Sequence, residues 1–293
     1  ILEIRDVTYT YPTRSHPTIE DVNLNLCLGE CVLLLGPTGS GKSTLGMCLN
    51  GLIPHLLGGQ FEGQVLVDGV DTRQSSVTEL STRVGLLFQD PEAQICNLYP
   101  LDELAFGCEN LGLPPDEIQK RVNWIADALK INSFLTTPVQ HLSLGLKQRI
   151  ALGSILAMGP RILVLDEPTS NLDAGAVRSL VRIISTLRNK QGVSVLVMEH
   201  DADSFLGVAD RVVVQGMLIG KTPGCEEKEF AGLAPSIHDL VTEVTRPYAL
   251  PILANLDFGH VDENMPLPEG LLARMDTTDK SVSLLESLVQ SDA

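Results

Sequence analysis

The chain has 293 residues, 44% hydrophobic and 20% charged, the balance of a globular protein with room for one large core and a small extra lobe. Its formal charge is −16, from 37 acidic against 21 basic residues, which argues against nucleic acid as a partner. No apolar run approaches the roughly 18 residues of a membrane span. Six cysteines without a CxxC pair and six histidines without ligand spacing fit reduced thiols in a cytosolic setting, not a disulfide framework or a metal site. The start at Ile1 shows no signal-peptide pattern and is expected to be the edge of an excised or processed segment.

The predicted elements begin with an alternation of Ile4, Val7 and Tyr9 among polar residues. Strand-like stretches follow at Ile19–Leu26 and Cys31–Leu35, so an N-terminal β-region is expected. Cys31–Leu35 is continuously apolar and stops at Gly36, as a strand buried on both faces does. A helix is predicted from Ser43 to Leu52, then strands at Gln64–Val67 and at Arg83–Phe88, the last ending at Gln89. From Pro91 to about Val139 the spacing turns helical, and Pro114 and Pro115 ahead of Asp116 and Glu117 mark a helix start. This stretch reads as a helical insertion. Beyond it come a helix near Leu146–Ala157, a buried strand Ile162–Leu165, and a helix near Ala174–Lys190. Strands Ser194–Met198 and Arg211–Val214 complete the pattern. Strands alternating with helices imply an α/β fold with a mainly parallel sheet covered on both faces.

From about Cys225 the pattern weakens. Proline recurs at 235, 247, 251, 266 and 268, and 13 acidic residues stand against 4 basic. A short helix is plausible over Ser281–Val289, and no internal repeat is present. Residues 1–224 are therefore expected to form one domain, with the insertion at about 90–145, and residues 225–293 an acidic extension or linker.

The segment Gly36–Ser43, GPTGSGKS, fits G-x-x-x-x-G-K-[ST] and lies between a buried strand and a helix. Glycines at 36, 39 and 41 let the chain wrap tightly, so that the backbone N–H groups of Gly36, Pro37's neighbours Thr38 and Gly39, and Ser40, Gly41, Lys42, Ser43 and Thr44 can converge on phosphate oxygens. The helix adds the positive end of its dipole. Lys42 can reach the β- and γ-phosphates, and Ser43 offers a hydroxyl to Mg²⁺. The pattern predicts binding of ATP with Mg²⁺. In Ile162–Ser170, ILVLDEPTS, four apolar residues deliver two carboxylates to a strand end. Asp166 is placed to hold Mg²⁺, and Glu167 to polarise an attacking water as general base.

Together these residues resemble the ATP-binding-cassette ATPases, with the motifs in family order across roughly residues 1–224. His141–Arg149, HLSLGLKQR, looks like the signature LSGGQ-x-QR. Ser170-Asn171-Leu172-Asp173 looks like the D-loop, Gln89 stands at the Q-loop position, and His200 at the switch histidine. Tyr11 stands where the family stacks an aromatic on adenine. The resemblance implies a P-loop NTPase fold with an N-terminal antiparallel β-subdomain, a parallel-sheet core and the helical insertion. It implies catalytic roles for Lys42, Gln89, Glu167 and His200, metal contacts from Ser43, Gln89 and Asp166, and nucleotide contacts from Tyr11, Ser143, Gly145 and Asp173.

In this family the signature serves the nucleotide of the opposite subunit. Here Leu144 replaces its first glycine and Leu146 the usual Gln or Glu, while Ser143 and Gly145 are kept. The departure bears on the partner's site and is consistent with unequal sites in a heterodimer. Phe88–Ile95, FQDPEAQI, and Leu104–Pro114, LAFGCENLGLP, are similar to the ATPases of energy-coupling-factor (ECF) and cobalt or nickel importers, with Cys108 in place of the usual proline. That likeness implies a second ABC ATPase chain and transmembrane subunits as partners, at the cytoplasmic face of the membrane, in uptake of a vitamin or transition-metal ion. The competing classes are an ordinary importer or exporter cassette and a non-transport ATPase of repair or translation. The latter usually carry a long coiled coil or basic patches, whereas here about fifty acidic-chain residues separate Gln89 from the signature.

Overall fold

In this computed structural model the described residues are 1–170, 172–201 and 203–215, with strand segments at 252–255, 271–276 and 281–287. Two antiparallel strands open the chain, β1 (Leu2–Thr10) and β2 (Ile19–Leu26). The apolar β3 (Cys31–Leu35) then runs into the glycine-rich loop and α1 (Lys42–Leu49). After the one-turn α2 (Leu52–His55), β4 (Gln60–Val67) and β5 (Val70–Asp71) return to the first sheet, whose order is β2-β1-β4-β5. β4 starts at Gln60, earlier than the expected Gln64, because Gly63 carries it past an irregularity in β1 between Arg5 and Thr8. Gly63 has φ +77°, and a Cβ there would lie 2.3 Å from the Asp6 carbonyl oxygen, so the apolar alternation is interrupted where the strand is not.

α3 (Val77–Ser81), opened by a Ser76–Glu79 capping box, precedes β6 (Val84–Leu87). The expected insertion is helical: α4 (Pro91–Gln94), α5 (Pro100–Asn110) and α6 (Pro115–Leu129) each carry proline in the first turn. α7 (Leu144–Ala157), β7 (Ile162–Asp166), α8 (Ala174–Gln191), β8 (Ser194–Glu199) and β9 (Arg211–Gln215) follow close to their predicted places. Within the last stretch β10 (Ile252–Asn255) pairs parallel with β9, and β11 (Leu271–Asp276) pairs antiparallel with β12 (Ser281–Ser287). The second sheet has the order β11-β12-β10-β9-β3-β8-β7-β6.

One expectation is corrected here. Ser281–Val289 reads as a helix, yet Ser281–Ser287 is a strand. Val282 and Leu284 alternate with serines, so the same residues fit a period of two, and β10 and β11 supply ladder partners that outweigh local helix preference.

The central strands are buried on both faces, and their alternation divides the core. Cys31, Leu33 and Leu35 of β3, Leu163 and Leu165 of β7, and Val195 and Val197 of β8 pack with the helices α5 to α8. Val32 and Leu34, Ile162 and Val164, and Leu196 and Met198 pack with α1 and the antiparallel sheet. α7 is gripped by the insertion: a Cβ on Gly153 would stand 2.6 Å from Leu104 Cδ2 and 2.9 Å from Ile125 Cγ2 and Leu129 Cδ1. Gly153→Val is therefore expected to cost about 1–3 kcal/mol through overpacking. Urea unfolding should show a lower midpoint at unchanged slope. An unchanged midpoint would mean that α5 and α6 can yield.

Candidate active site

Four neighbouring strands, β3, β8, β7 and β6, deliver the candidate residues at their carboxyl ends. Leu35 pairs with Glu199, Asp166 with Met198, and Leu87 with Leu165, so the ends lie along one edge of the sheet. Beyond that edge stand the glycine-rich loop, His200, Glu167 and Gln89. Open α/β sheets bind ligands in this position.

The loop is fixed before any ligand is considered. Gly36 N donates to Glu199 O at 3.2 Å, and Ser40 N donates to Pro37 O at 3.1 Å. Gly39 and Gly41 have φ of +84° and +93°, and a Cβ on Gly41 would lie 2.5 Å from Ile19 Cγ2. Pro37, Thr38, Gly39 and Ser43 are exposed, while Gly36, Ser40, Gly41, Lys42 and Thr44 are buried. The Lys42 ammonium donates to Gly36 O at 2.8 Å and Pro37 O at 3.1 Å, and lies 3.3 Å from Glu167 Oε1. Tyr11 joins the loop through its hydroxyl, 3.1 Å from Thr44 Oγ1, and its ring stands edge-on to Tyr9.

Glu167 is the point of convergence. Its Oε2 accepts from Gln89 Nε2 at 2.8 Å and from Ser170 Oγ at 3.4 Å, and lies 4.0 Å from His200 Nδ1. The residue sits in the left-handed region, φ +43°, which is sparsely populated for a non-glycine residue. Its own N–H holds that turn by donating to Met198 O at 2.8 Å. The turn separates the two carboxylates: Asp166 lies by the Ser43 hydroxyl, whereas Glu167 meets Lys42 and Gln89.

Asp166 is suited to a cation. It is buried, and among the described residues its Oδ1 has no hydrogen-bond partner. Burial pushes its pKa up; the charge of Glu167 adds to this, while the Ser43 bond and Lys42 oppose it. With the Ser43 hydroxyl beside it, the local donors are oxygens, which fits a hard cation such as Mg²⁺. Among the described residues no group of three or more His, Cys, Asp or Glu can hold a metal unaided. A cation here needs phosphate oxygens, as Mg²⁺ sites of nucleotide enzymes do.

Three predicted residues stand apart from this cluster. Ser143 is the exposed N-cap residue of α7, without a side-chain capping bond. Gly145 faces Ala176 and Leu172, whose nearest atoms lie 3.2 and 3.9 Å from a Cβ built there. The Asp173 carboxylate caps α8 by accepting from Gly175 N at 2.8 Å and Ala176 N at 2.9 Å, bonds that lower its pKa. Asn171 lies outside the described residues. The irregular Leu146 packs against the main core.

Sequence reasoning missed three supporting residues. Gln94 accepts from Phe88 N and donates to Leu86 O, each at 3.0 Å, extending the end of β6 just before Gln89. Gln148 donates to Pro168 O at 3.2 Å, linking the helix after Ser143 to the turn after Glu167. Glu199 is fully buried and accepts from Thr169 N at 3.1 Å and Thr169 Oγ1 at 2.7 Å. The only advance signal for Glu199 was its place beside His200 at a strand end.

Known proteins share this arrangement. The ABC transporter family model matches residues 19–170, just over half of the chain. A second model, the LD-carboxypeptidase C-terminal domain, matches residues 206–275, a stretch that contains none of the site residues above. A Pyrococcus abyssi protein provisionally named an ABC transporter ATP-binding protein is 44% identical over 214 residues, 73% of this chain and 76% of that one. A Bacillus subtilis protein provisionally named an HMP/thiamine import ATP-binding protein is 39% identical over 73% of this chain and 39% of its own length. The chain likewise spans only 33% of a Methanosarcina acetivorans relative. Among solved structures, cbiO1 of Clostridium perfringens, part of the ABC transporter complex cbiONQ, has a TM-score of 0.65 and 31% identity over 73% of this chain and 84% of that one. The dimeric ATP-binding cassette MJ0796, bound to ADP and Pi, has a TM-score of 0.64 and 26% identity over 73% and 94%. With the phosphate loop, the paired carboxylates and the switch-histidine position on adjacent strand ends, these matches place the chain in the ABC transporter ATP-binding family, whose members bind ATP with Mg²⁺ and hydrolyse it.

Proposed function

We propose that this chain powers an ECF-type importer for a vitamin or transition-metal ion. In this reading it pairs with a second ABC ATPase chain and docks on transmembrane subunits at the cytoplasmic face of the membrane. The carrying observation is the likeness to cbiO1 over 84% of that protein, together with FQDPEAQI and LAFGCENLGLP on α4 and α5. The insertion also exposes Leu98, Tyr99, Leu101, Phe106 and Trp124, apolar side chains suited to a protein partner. Among the described residues no helix is long and apolar enough to cross a membrane, so in this proposal the membrane-spanning part belongs to other chains. Residues 1–224 form the nucleotide unit and 225–293 an extension that links or contacts the partner chain.

In the site so proposed, Lys42 and the backbone N–H groups of the loop hold the phosphates, and Tyr11 stacks on the adenine. Ser43, Asp166 and Gln89 would hold Mg²⁺, which when bound neutralises charge on the β- and γ-oxygens. Glu167 orients and deprotonates water, and His200 donates to the γ-phosphate. Ser143 and Gly145, with Asp173, serve the nucleotide on the partner's loop. Gln89 carries the state of the site to the helical lobe.

Affinity purification from solubilised membranes tests this. We expect a second ATPase chain, an energising transmembrane subunit and a small substrate-binding membrane subunit in one complex. Recovery with a repair or translation assembly, or with an ordinary importer lacking a separate membrane binding subunit, overturns the ECF reading.

A further inference from the structure

We propose that Glu199 is a positioning residue for hydrolysis, its one buried carboxyl tying the turn after Glu167 to His200. The proposal rests on the catalytic reading above. Glu199 ends β8 and contacts three parts of the site. Its Oε1 takes both the N–H and the hydroxyl of Thr169, at 3.1 and 2.7 Å. Thr169 precedes Ser170, whose hydroxyl reaches Glu167 Oε2 at 3.4 Å. Among the described residues its Oε2 has no hydrogen-bond partner, and it lies 3.7 Å from His200 Nδ1. Its backbone carbonyl accepts from Gly36 N at the entry to the phosphate loop.

A fully buried carboxyl is costly unless it is used, and burial raises the pKa of Glu199, with the Thr169 bonds and His200 opposing. The Thr169 clamp alone explains only one of its oxygens. A neutral amide could serve that clamp equally well. What a carboxylate adds is a second acceptor, aimed at the switch histidine. His200 is half exposed, at 53%, and a shift of its ring by about half an ångström brings Nδ1 within hydrogen-bond reach of Oε2. A proton on Nδ1, donated to Oε2, fixes the ring's orientation; in the doubly protonated ring the Nε2–H then faces away from Glu199 as the donor. Among the described residues the other charged groups around His200 are Glu167 from the end of β7, Lys42 behind Glu167, and Asp201, which accepts from Asp203 N in the next turn. Of these only Glu199 combines full burial, a fixed opposite oxygen and a free oxygen toward the ring.

The test is Glu199→Gln in the ATPase assembled with its partner chains. The amide oxygen can keep both Thr169 bonds, but its NH₂ then faces Nδ1, donor against donor. We expect kcat to fall about tenfold, with KM for ATP within about twofold, as a misplaced catalytic group predicts. The pH–rate profile of the variant should differ from that of the wild type. In a His200→Ala background the same change should alter the single-turnover rate less than about twofold, because the coupled partner is gone. Wild-type kcat and pH profile in Glu199→Gln, or a full effect without His200, overturn the proposal. A second measurement does not need the variant to fold: in the full chain labelled with ¹⁵N-histidine, His200 Nδ1, assigned by its loss in His200→Ala, should carry a proton. A bare Nδ1 also overturns it. Glu167→Gln run in parallel separates the two levels. Undiminished turnover there sinks the catalytic reading, whereas a silent Glu199→Gln beside a dead Glu167→Gln sinks this inference alone.

Discussion

Glu167→Gln is expected to lose about 10²–10⁴-fold in ATP hydrolysis, the usual worth of a positioned general base, while keeping ATP binding. The geometry makes this substitution unusually clean. The backbone at φ +43° is as accessible to Gln as to Glu, so the turn between β7 and the D-loop is undisturbed. The amide oxygen still accepts from Gln89 Nε2, which now stands 2.8 Å from Oε2. What disappears is the charge 3.3 Å from the Lys42 ammonium. Lys42 keeps its two loop carbonyls and is no longer held by a carboxylate, so affinity for ATP should hold or rise. Binding by fluorescent nucleotide and phosphate release by the assembled ATPase measure the two effects separately. Loss of binding in parallel with turnover would mean that Glu167 shapes the loop, and turnover within threefold of wild type would remove it as the base.

Asp166→Asn should move stability and activity in opposite directions. Activity should fall on the order of a hundredfold, because a bound cation supplies several kcal/mol of charge stabilisation and each ~1.4 kcal/mol is tenfold. Stability without nucleotide should rise at pH 7. Burial raises the folded-state pKa of Asp166 above its unfolded value. Its favourable contribution is therefore complete below the unfolded pKa, about 3.9, and is lost as pH rises through the raised folded value. Above the raised folded value the ionised carboxylate, with Oδ1 unpartnered among the described residues, is a burden that Asn removes. Thermal melts of the chain alone should show the variant melting higher at pH 7, with the gap closing as pH falls toward about 4. A variant that melts lower at pH 7 would show that Lys42 and Ser43 more than compensate the burial. A site residue that weakens the fold it belongs to is a recurring cost of function.

Much of this was legible because two signals are local. β3, β7 and β8 are apolar on both faces, so each reads as an unbroken run, and the run ends where the chemistry begins. The phosphate loop is contiguous, and its glycines answer to one backbone path. The four-strand edge could only be anticipated through order and spacing, since the pairing of Leu35 with Glu199 and of Leu87 with Leu165 joins residues far apart in the chain. Gln148 and Glu199 were missed for that reason, and Gln94, only six and eight residues from its partners, because a surface amide gives no sign that it will bond main-chain groups. β12 failed differently, because its seven residues satisfy two periodicities and only its neighbours choose between them.

The grip on α7 has a mechanical consequence. Lys147, in its first turn, is ion-paired with Glu92 of α4, Gln148 is bonded to Pro168, and Gly153 is clasped by α5 and α6. A rod held at three stations cannot bend at one end alone. α7 thus ties the insertion, through contacts spread along its length, to Ser143 and to the turn behind Glu167. The side-chain-free surface of Gly153 is what lets α5 and α6 close on the helix, so filling it should loosen that joint first.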